Sequence, residues 1–192
     1  MRALGLDPVT DTRRAFAGLR TAMARPGTVQ RLPAPADHAV LAALVDHEVC
    51  LSTPDQRLAD AFSREGRLVA AAPPEADVVH AVGTPDWDPT DLNRGRLVEP
   101  SEGATAVYRV GTLADGTGDG TRDANSTDGA KTTVRVRGPG VPGERTATVG
   151  LPADHLRDLS RVGADYPRGI DAVFAMEDRV LALPRSVTME VT

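Results

Sequence analysis

Hydrophobic and polar positions along the 192-residue chain alternate between two rhythms. From Thr10 to Ala24 apolar residues recur at three-to-four spacing. This predicts a helix with Phe16, Leu19 and Met23 on its inner face, capped by Thr10 or Asp11 and ended by Arg25, Pro26 and Gly27. Residues 37–45 predict a second, Ala-rich helix, and residues 48–52 a short strand. Thr53 is placed to cap a third helix with Pro54 at its first position and Leu58, Ala61 and Phe62 turned inward. Short apolar runs at 67–71, 78–82, 104–110 and 132–137 predict strands. Residues 83–95 shift to Pro, Asp, Thr and Asn, a loop with one helical turn, and residues 151–161 predict a last helix burying Leu156 and Leu159.

The last quarter of the chain is the most informative. Ile170 to Met176 is apolar on both faces except at Asp171, which predicts a strand buried on both sides with a polar partner for the carboxylate. Glu177, Asp178 and Arg179 form a charged turn, residues 180–183 a second apolar run, and Pro184 interrupts it. Val187, Met189 and Val191 then alternate with Ser186, Thr188 and Glu190, the period of a half-exposed strand. Interleaved helices and strands predict one α/β domain over residues 1–192 with a mixed β-sheet flanked by helices, and no internal repeat is visible. Residues 115–130 hold no large apolar side chain. They read as an insertion, a long mobile loop closing a hairpin.

Composition narrows the function. A hydrophobic content of 41% supports a core, but with 3% aromatics it must be built from Ala, Val and Leu. Few aromatics and a net charge of -5 argue against nucleic acid as a partner. All but one of the 22 basic residues are arginine, and they are spread along the chain, so no basic patch is formed. Cys50 stands alone, which fits a reducing cytoplasm, and its neighbours Val49 and Leu51 predict a buried strand thiol. The first 14 residues lack an apolar signal-peptide core, and no run reaches the roughly 18 apolar residues of a membrane span.

Candidate chemistry is sparse. Gly138, Gly140 and Gly143 match a dinucleotide fingerprint in spacing, but Pro139 and Pro142 interrupt it and the extended stretch RTATV follows, so a turn between strands is expected. Asp115, Thr117, Asp119 and Gly120 echo half of a calcium loop that lacks its final acid at Ser126, and Asn125 opens an incidental glycosylation sequon. His38, His47, His80 and His155 lack metal-ligand spacing and read as surface or helix-end residues, with no zinc site. His47, between Asp46 and Glu48, is the candidate general base. Arg168, Asp171 and Arg185 flank the tail hairpin as an internal ion pair or as a polar cleft or docking surface. No catalytic, cofactor or metal constellation is legible.

Four blocks of sequence carry a family resemblance. They are Phe16, Leu19, Ala22, Met23, Pro26 and Gly27; the stretch LAALVDHEVCLSTP at 41–54; Gly138 to Gly140 with Glu144 and Arg145; and PRGIDAVFAMEDRVLALPRSVTMEV at 167–191. In this order they resemble the H subunit of the carbon–phosphorus lyase machinery, the PhnH family of phosphonate metabolism, except at 115–130, where that family has a short turn. The resemblance implies an accessory or scaffolding subunit of a complex that places an alkylphosphonate on the ribose carbon of a nucleoside triphosphate, displacing the base. A separate radical subunit then cleaves the carbon–phosphorus bond. It also implies a two-fold homodimer, other lyase subunits as partners, and the fold of pyridoxal-phosphate-dependent transferases without their cofactor site. Lys131, the only lysine, borders the insertion rather than a packed pocket and is not expected to form a Schiff base. The alternative is a stand-alone α/β enzyme for a small phosphorylated or anionic substrate, with His47, Asp171 and Arg185 converging in one pocket.

Overall fold

The computed structural model describes residues 1–116 and 130–192. Its helices are α1 (Thr10–Ala24), α2 (Ala36–Leu44), α3 (Gln56–Arg64) and α4 (Ala153–Gly163). Its strands are β1 (Gln30–Arg31), β2 (Cys50–Ser52), β3 (Val69–Ala70), β4 (Val78–Val82), β5 (Thr105–Arg109), β6 (Leu113–Asp115), β7 (Thr132–Arg137), β8 (Arg145–Val149), β9 (Asp171–Met176), β10 (Arg179–Leu183) and β11 (Thr188–Val191). One sheet has seven strands in the order β1-β10-β9-β5-β4-β2-β3, and the other has four in the order β11-β7-β8-β6. The α/β class and the mixed large sheet agree with the sequence reading. Strands β3, β2, β4, β5 and β9 are parallel, whereas β10 folds back against β9. The single expected sheet is two, because the half-exposed tail strand leaves the β9–β10 hairpin and pairs with β7.

Alternation along the strands supplies both faces of the large sheet with apolar side chains. Leu51, Val78, Val107 and Val173 meet α1, α2 and α3 on one face. Val79, Ala106, Tyr108 and Phe174 meet α4 and the small sheet on the other. From β2 the chain runs through α3 outward to β3, returns past β2 to β4, and proceeds to β5 and β9. The direction of winding reverses between β2 and β4, so their carboxyl ends border a crevice.

Several local expectations are corrected. Helix α1 buries Ala15, Leu19 and Ala22, while Phe16 is 55% exposed. Leu19 belongs to both stripes, Phe16, Leu19 and Met23 at i, i+3, i+7 and Ala15, Leu19 and Ala22 at i, i+4, i+7, and the one with small residues lets α1 lie close to its neighbours. Asp7 serves the start of α1, its Oδ1 accepting from the N–H groups of Val9 and Thr10 at 3.0 and 2.7 Å. Asp55 rather than Thr53 caps α3, accepting from the Leu58 N–H at 3.1 Å. Cys50 is half-buried, and the two residues of β3 are exposed on the sheet edge. The Gly-Pro-Gly segment turns β7 into β8 as expected. Gly140 has φ 79°, and a Cβ there would stand 2.6 Å from the Ala24 carbonyl oxygen, so the turn needs glycine where it abuts the end of α1.

The strands flanking the expected insertion do not form a hairpin. Leu113 and Thr132 both pair with Val149, so β6 and β7 run parallel with β8 between them. A connection between parallel strands must travel back along the sheet, which takes about a dozen residues. Asp115 belongs to β6 and its carboxylate accepts from the Val29 N–H at 3.0 Å, so it is part of the framework. The remaining insertion, the calcium-like positions Thr117, Asp119, Gly120 and Ser126, and the sequon at Asn125 lie outside the described residues.

Candidate functional site

Polar groups converge at the carboxyl ends of β4 and β5, where the sheet meets the amino ends of α2 and α3. His80 interrupts the apolar run of β4 and is 1% exposed. Arg109 ends β5 beside it and points to the same face, because Val82 pairs with Arg109 and His80 with Val107. Asp37 and His38 begin α2 and are buried. Asp55 caps α3. Carboxylates at helix amino ends are favoured by the helix dipole, which helps place two acids here.

Arg109 joins the two helices. Its Nε donates to Asp37 Oδ2 at 2.7 Å and its Nη2 to Asp55 Oδ2 at 2.8 Å. His38 Nε2 lies 2.9 Å from Asp55 Oδ2 and 2.7 Å from Arg109 Nη2, while its Nδ1 is buried without a hydrogen-bond partner. Burial pushes the Asp37 carboxyl up, but the His80 hydrogen bond and the Arg109 charge outweigh it and hold it at about 2. Burial likewise works against ionised Asp55, yet the hydrogen bonds from His38 and Arg109 hold it well below the ordinary carboxylate range. Burial would lower the Arg109 pKa, but the two carboxylates raise it. The one guanidinium bridges both acids, and among the described residues no group of acids, histidines and cysteine is arranged to hold a metal ion.

A second line of contacts leads from this cluster into the crevice. Asp37 Oδ2 lies 3.2 Å from His80 Nε2, and His80 Nδ1 lies 2.8 Å from Thr53 Oγ1. Thr53, His80, Asp86 and Trp87 are among the residues lining the crevice between β2 and β4. Trp87 packs 5.7 Å from the Tyr108 ring and 5.6 Å from the His155 ring. The Tyr108 hydroxyl, whose pKa burial raises, meets His155 Nε2 at 3.1 Å. Burial lowers the His155 pKa, against the nearby carboxylates of Asp88 and Asp158.

The residues singled out by sequence lie elsewhere. Asp171 and Arg185 do form the expected pair, with Arg185 Nη2 2.6 Å from Asp171 Oδ2. Arg185 also donates to the carbonyl oxygens of Pro100 and Gly103, so it ties the 100–103 loop to the start of β9. Arg168 does not join them and pairs with Asp165. His47 does not converge with Asp171 and Arg185. It is exposed beside Glu48, ahead of β2, which is three places from β9 in the sheet, about 14 Å at the usual spacing. The reading of the histidines as surface or helix-end residues holds for His47, which is exposed, and for His38 and His155, in the first turns of α2 and α4, although His38 is buried; it fails for His80, buried inside β4. The reasoning that flagged Asp171, a polar residue inside an apolar strand, applies equally to His80 and would have found it.

Two comparisons place the chain among known proteins. The family model for the bacterial phosphonate metabolism protein PhnH matches residues 5–190. A relative from Stutzerimonas stutzeri, provisionally named C-P lyase subunit protein HtxG, is 30% identical over 176 residues, covering 90% of this chain and 82% of the relative.

Proposed function

The chain belongs to the bacterial phosphonate metabolism protein family PhnH, and from that premise we propose that it is an accessory subunit of the carbon–phosphorus lyase machinery. In this reading it is needed to form ribose 1-alkylphosphonate 5-triphosphate from a nucleoside triphosphate and a phosphonate, and it works in the cytoplasm bound to the other lyase subunits. The observation that carries the reading is a family match running across the chain, from residue 5 to residue 190. The transferase and lyase chemistry belongs to the assembled complex, and this subunit supplies a surface and a framework. As an isolated chain it forms a two-fold homodimer.

The likeness to pyridoxal-phosphate-dependent transferases rests on the family resemblance alone. Lys131 is exposed one residue before β7, and the reading gives it no Schiff base. The stand-alone enzyme built on His47, Asp171 and Arg185 loses its support, because these residues do not share a pocket. Deleting the gene tests the reading: growth on methylphosphonate as phosphorus source is lost, and growth on phosphate continues. Normal growth of the deletion strain on methylphosphonate refutes it.

A further inference from the structure

Thr53 stands at the end of β2, in the turn that leads into α3, so its side chain is presented at the carboxyl edge of the sheet. It does not cap that helix; Asp55 does. Its hydroxyl instead lies 2.8 Å from His80 Nδ1, and the backbone N–H of Asp55 donates to Oγ1 at 3.1 Å. His80 Nε2 faces Asp37 Oδ2, an ionised carboxylate that can only accept, so Nε2 carries the imidazole proton. Arg109 also holds Asp37, at 2.6 Å between Nη2 and Oδ2, and with one proton on the imidazole its Nδ1 has a free lone pair. His80 Nδ1 is then an acceptor, and the Thr53 hydroxyl donates to it. A carboxylate orients the base and the base faces a hydroxyl at a strand-to-helix turn, the arrangement that activates a nucleophile.

The open side of Thr53 selects its reactant. The crevice is lined by Ser52, Thr53, Pro54, Asp86 and Trp87 among others, and none of its lining residues is Lys or Arg. An anionic phosphate would meet the Asp86 carboxylate with no cation to offset it, whereas an uncharged ester meets the Trp87 ring and hydroxyls. We propose that Thr53 is a nucleophilic hydroxyl, that His80 held by Asp37 is its general base, and that the crevice between β2 and β4 admits an uncharged ester. In the step, Thr53 Oγ1 bonds to the ester carbonyl carbon as its proton passes to His80 Nδ1. The carbon–oxygen bond to the alcohol breaks, and His80 returns the proton to the departing alkoxide. Water, activated by the same base, releases the acid and restores Thr53.

This goes beyond the reading as a lyase subunit and does not depend on it, since the test uses the isolated chain and growth on methylphosphonate tests the other. The purified full chain is treated with an uncharged alkyl fluorophosphonate, which forms an Oγ–phosphorus bond and expels fluoride while the proton goes to His80. Peptide mapping by mass spectrometry is expected to find one adduct, on Thr53, formed at least about 10²-fold faster than on any other hydroxyl of the chain. Thr53→Ser retains the adduct and Thr53→Val abolishes it. No adduct on Thr53, adducts only elsewhere, or equal labelling after unfolding in guanidinium overturns the proposal, and the mapping on unaltered protein decides even if a variant does not fold.

Discussion

Asp171 and Arg185 meet through both carboxylate oxygens: the Arg185 backbone N–H donates to Oδ1 at 2.8 Å, and its guanidinium reaches Oδ2 through Nε at 3.2 Å and Nη2 at 2.6 Å. The pair is mostly buried, at 18% and 14% side-chain exposure. Removing one partner strands the other. Arg185→Ala is expected to lower stability by about 3 kcal/mol, the scale for breaking a buried ion pair. Guanidinium unfolding checks this, and a loss below about 1 kcal/mol, the worth of an exposed pair, would show that the pair contributes little.

Acid should loosen the amino ends of α2 and α3. Asp37 is held at about 2 in the fold, below its unfolded value near 3.9. A depressed pKa gives stability that is present above the unfolded value and lost as pH falls through the folded one. The unfolding free energy should therefore fall between about pH 5 and pH 2, with Asp37 contributing about 2 kcal/mol of the change. Asp37→Asn should be less stable at pH 7 and show a shallower fall. Parallel curves for the two proteins would count against the assignment.

What the sequence made legible follows from what kind of signal each feature leaves. Strands such as β4 and β7 match their apolar runs to the residue, because burial acts on neighbouring positions. The Asp171 partner was predictable because a charge inside an apolar strand cannot go unpaired. The Asp37–His80–Thr53 line was not, because its members come from α2, β4 and the end of β2 and are joined only by the packing of those elements, which leaves no local mark in sequence. On α1 Leu19 and Met23 turn inward as their spacing predicts, while Phe16 stays exposed and the small Ala15 and Ala22 take the inner positions beside Leu19.

The connection from β6 to β7 should tolerate changes in composition but not in length. Replacing residues 117–129 with a Gly/Ser linker of equal length is expected to leave the Tm within about 2 °C, less than 1 kcal/mol at this chain size. A two-residue Asn-Gly turn is expected to disrupt the small sheet, since it cannot span β8. Thermal melts of both variants check this; a stable two-residue variant would contradict the strand order.

Self-association is expected of the isolated chain. Phe16 is 55% exposed on α1, and β11 lies at the edge of the small sheet. Ala15 and Ala22 are fully buried within the chain, so they are not the surface that a second copy approaches. Light scattering into the tens of micromolar should give about twice the chain's 20.2 kDa, and Phe16→Glu should weaken the dimer. A mass that stays at one chain rules the dimer out.

The paired ends of the two sheets also constrain synthesis. β10 lies inside the large sheet, and β11, beginning five residues after β10 ends, is an outer strand of the small one. The large sheet cannot be completed until the ribosome has added residue 183, nor the small one until it has added residue 191. Domains acquire structure as units while the chain is made, at about 5–20 residues per second. Here the apolar faces prepared earlier must wait for residues 179–191, and a ribosome stalled before them leaves both layers open to aggregation at once.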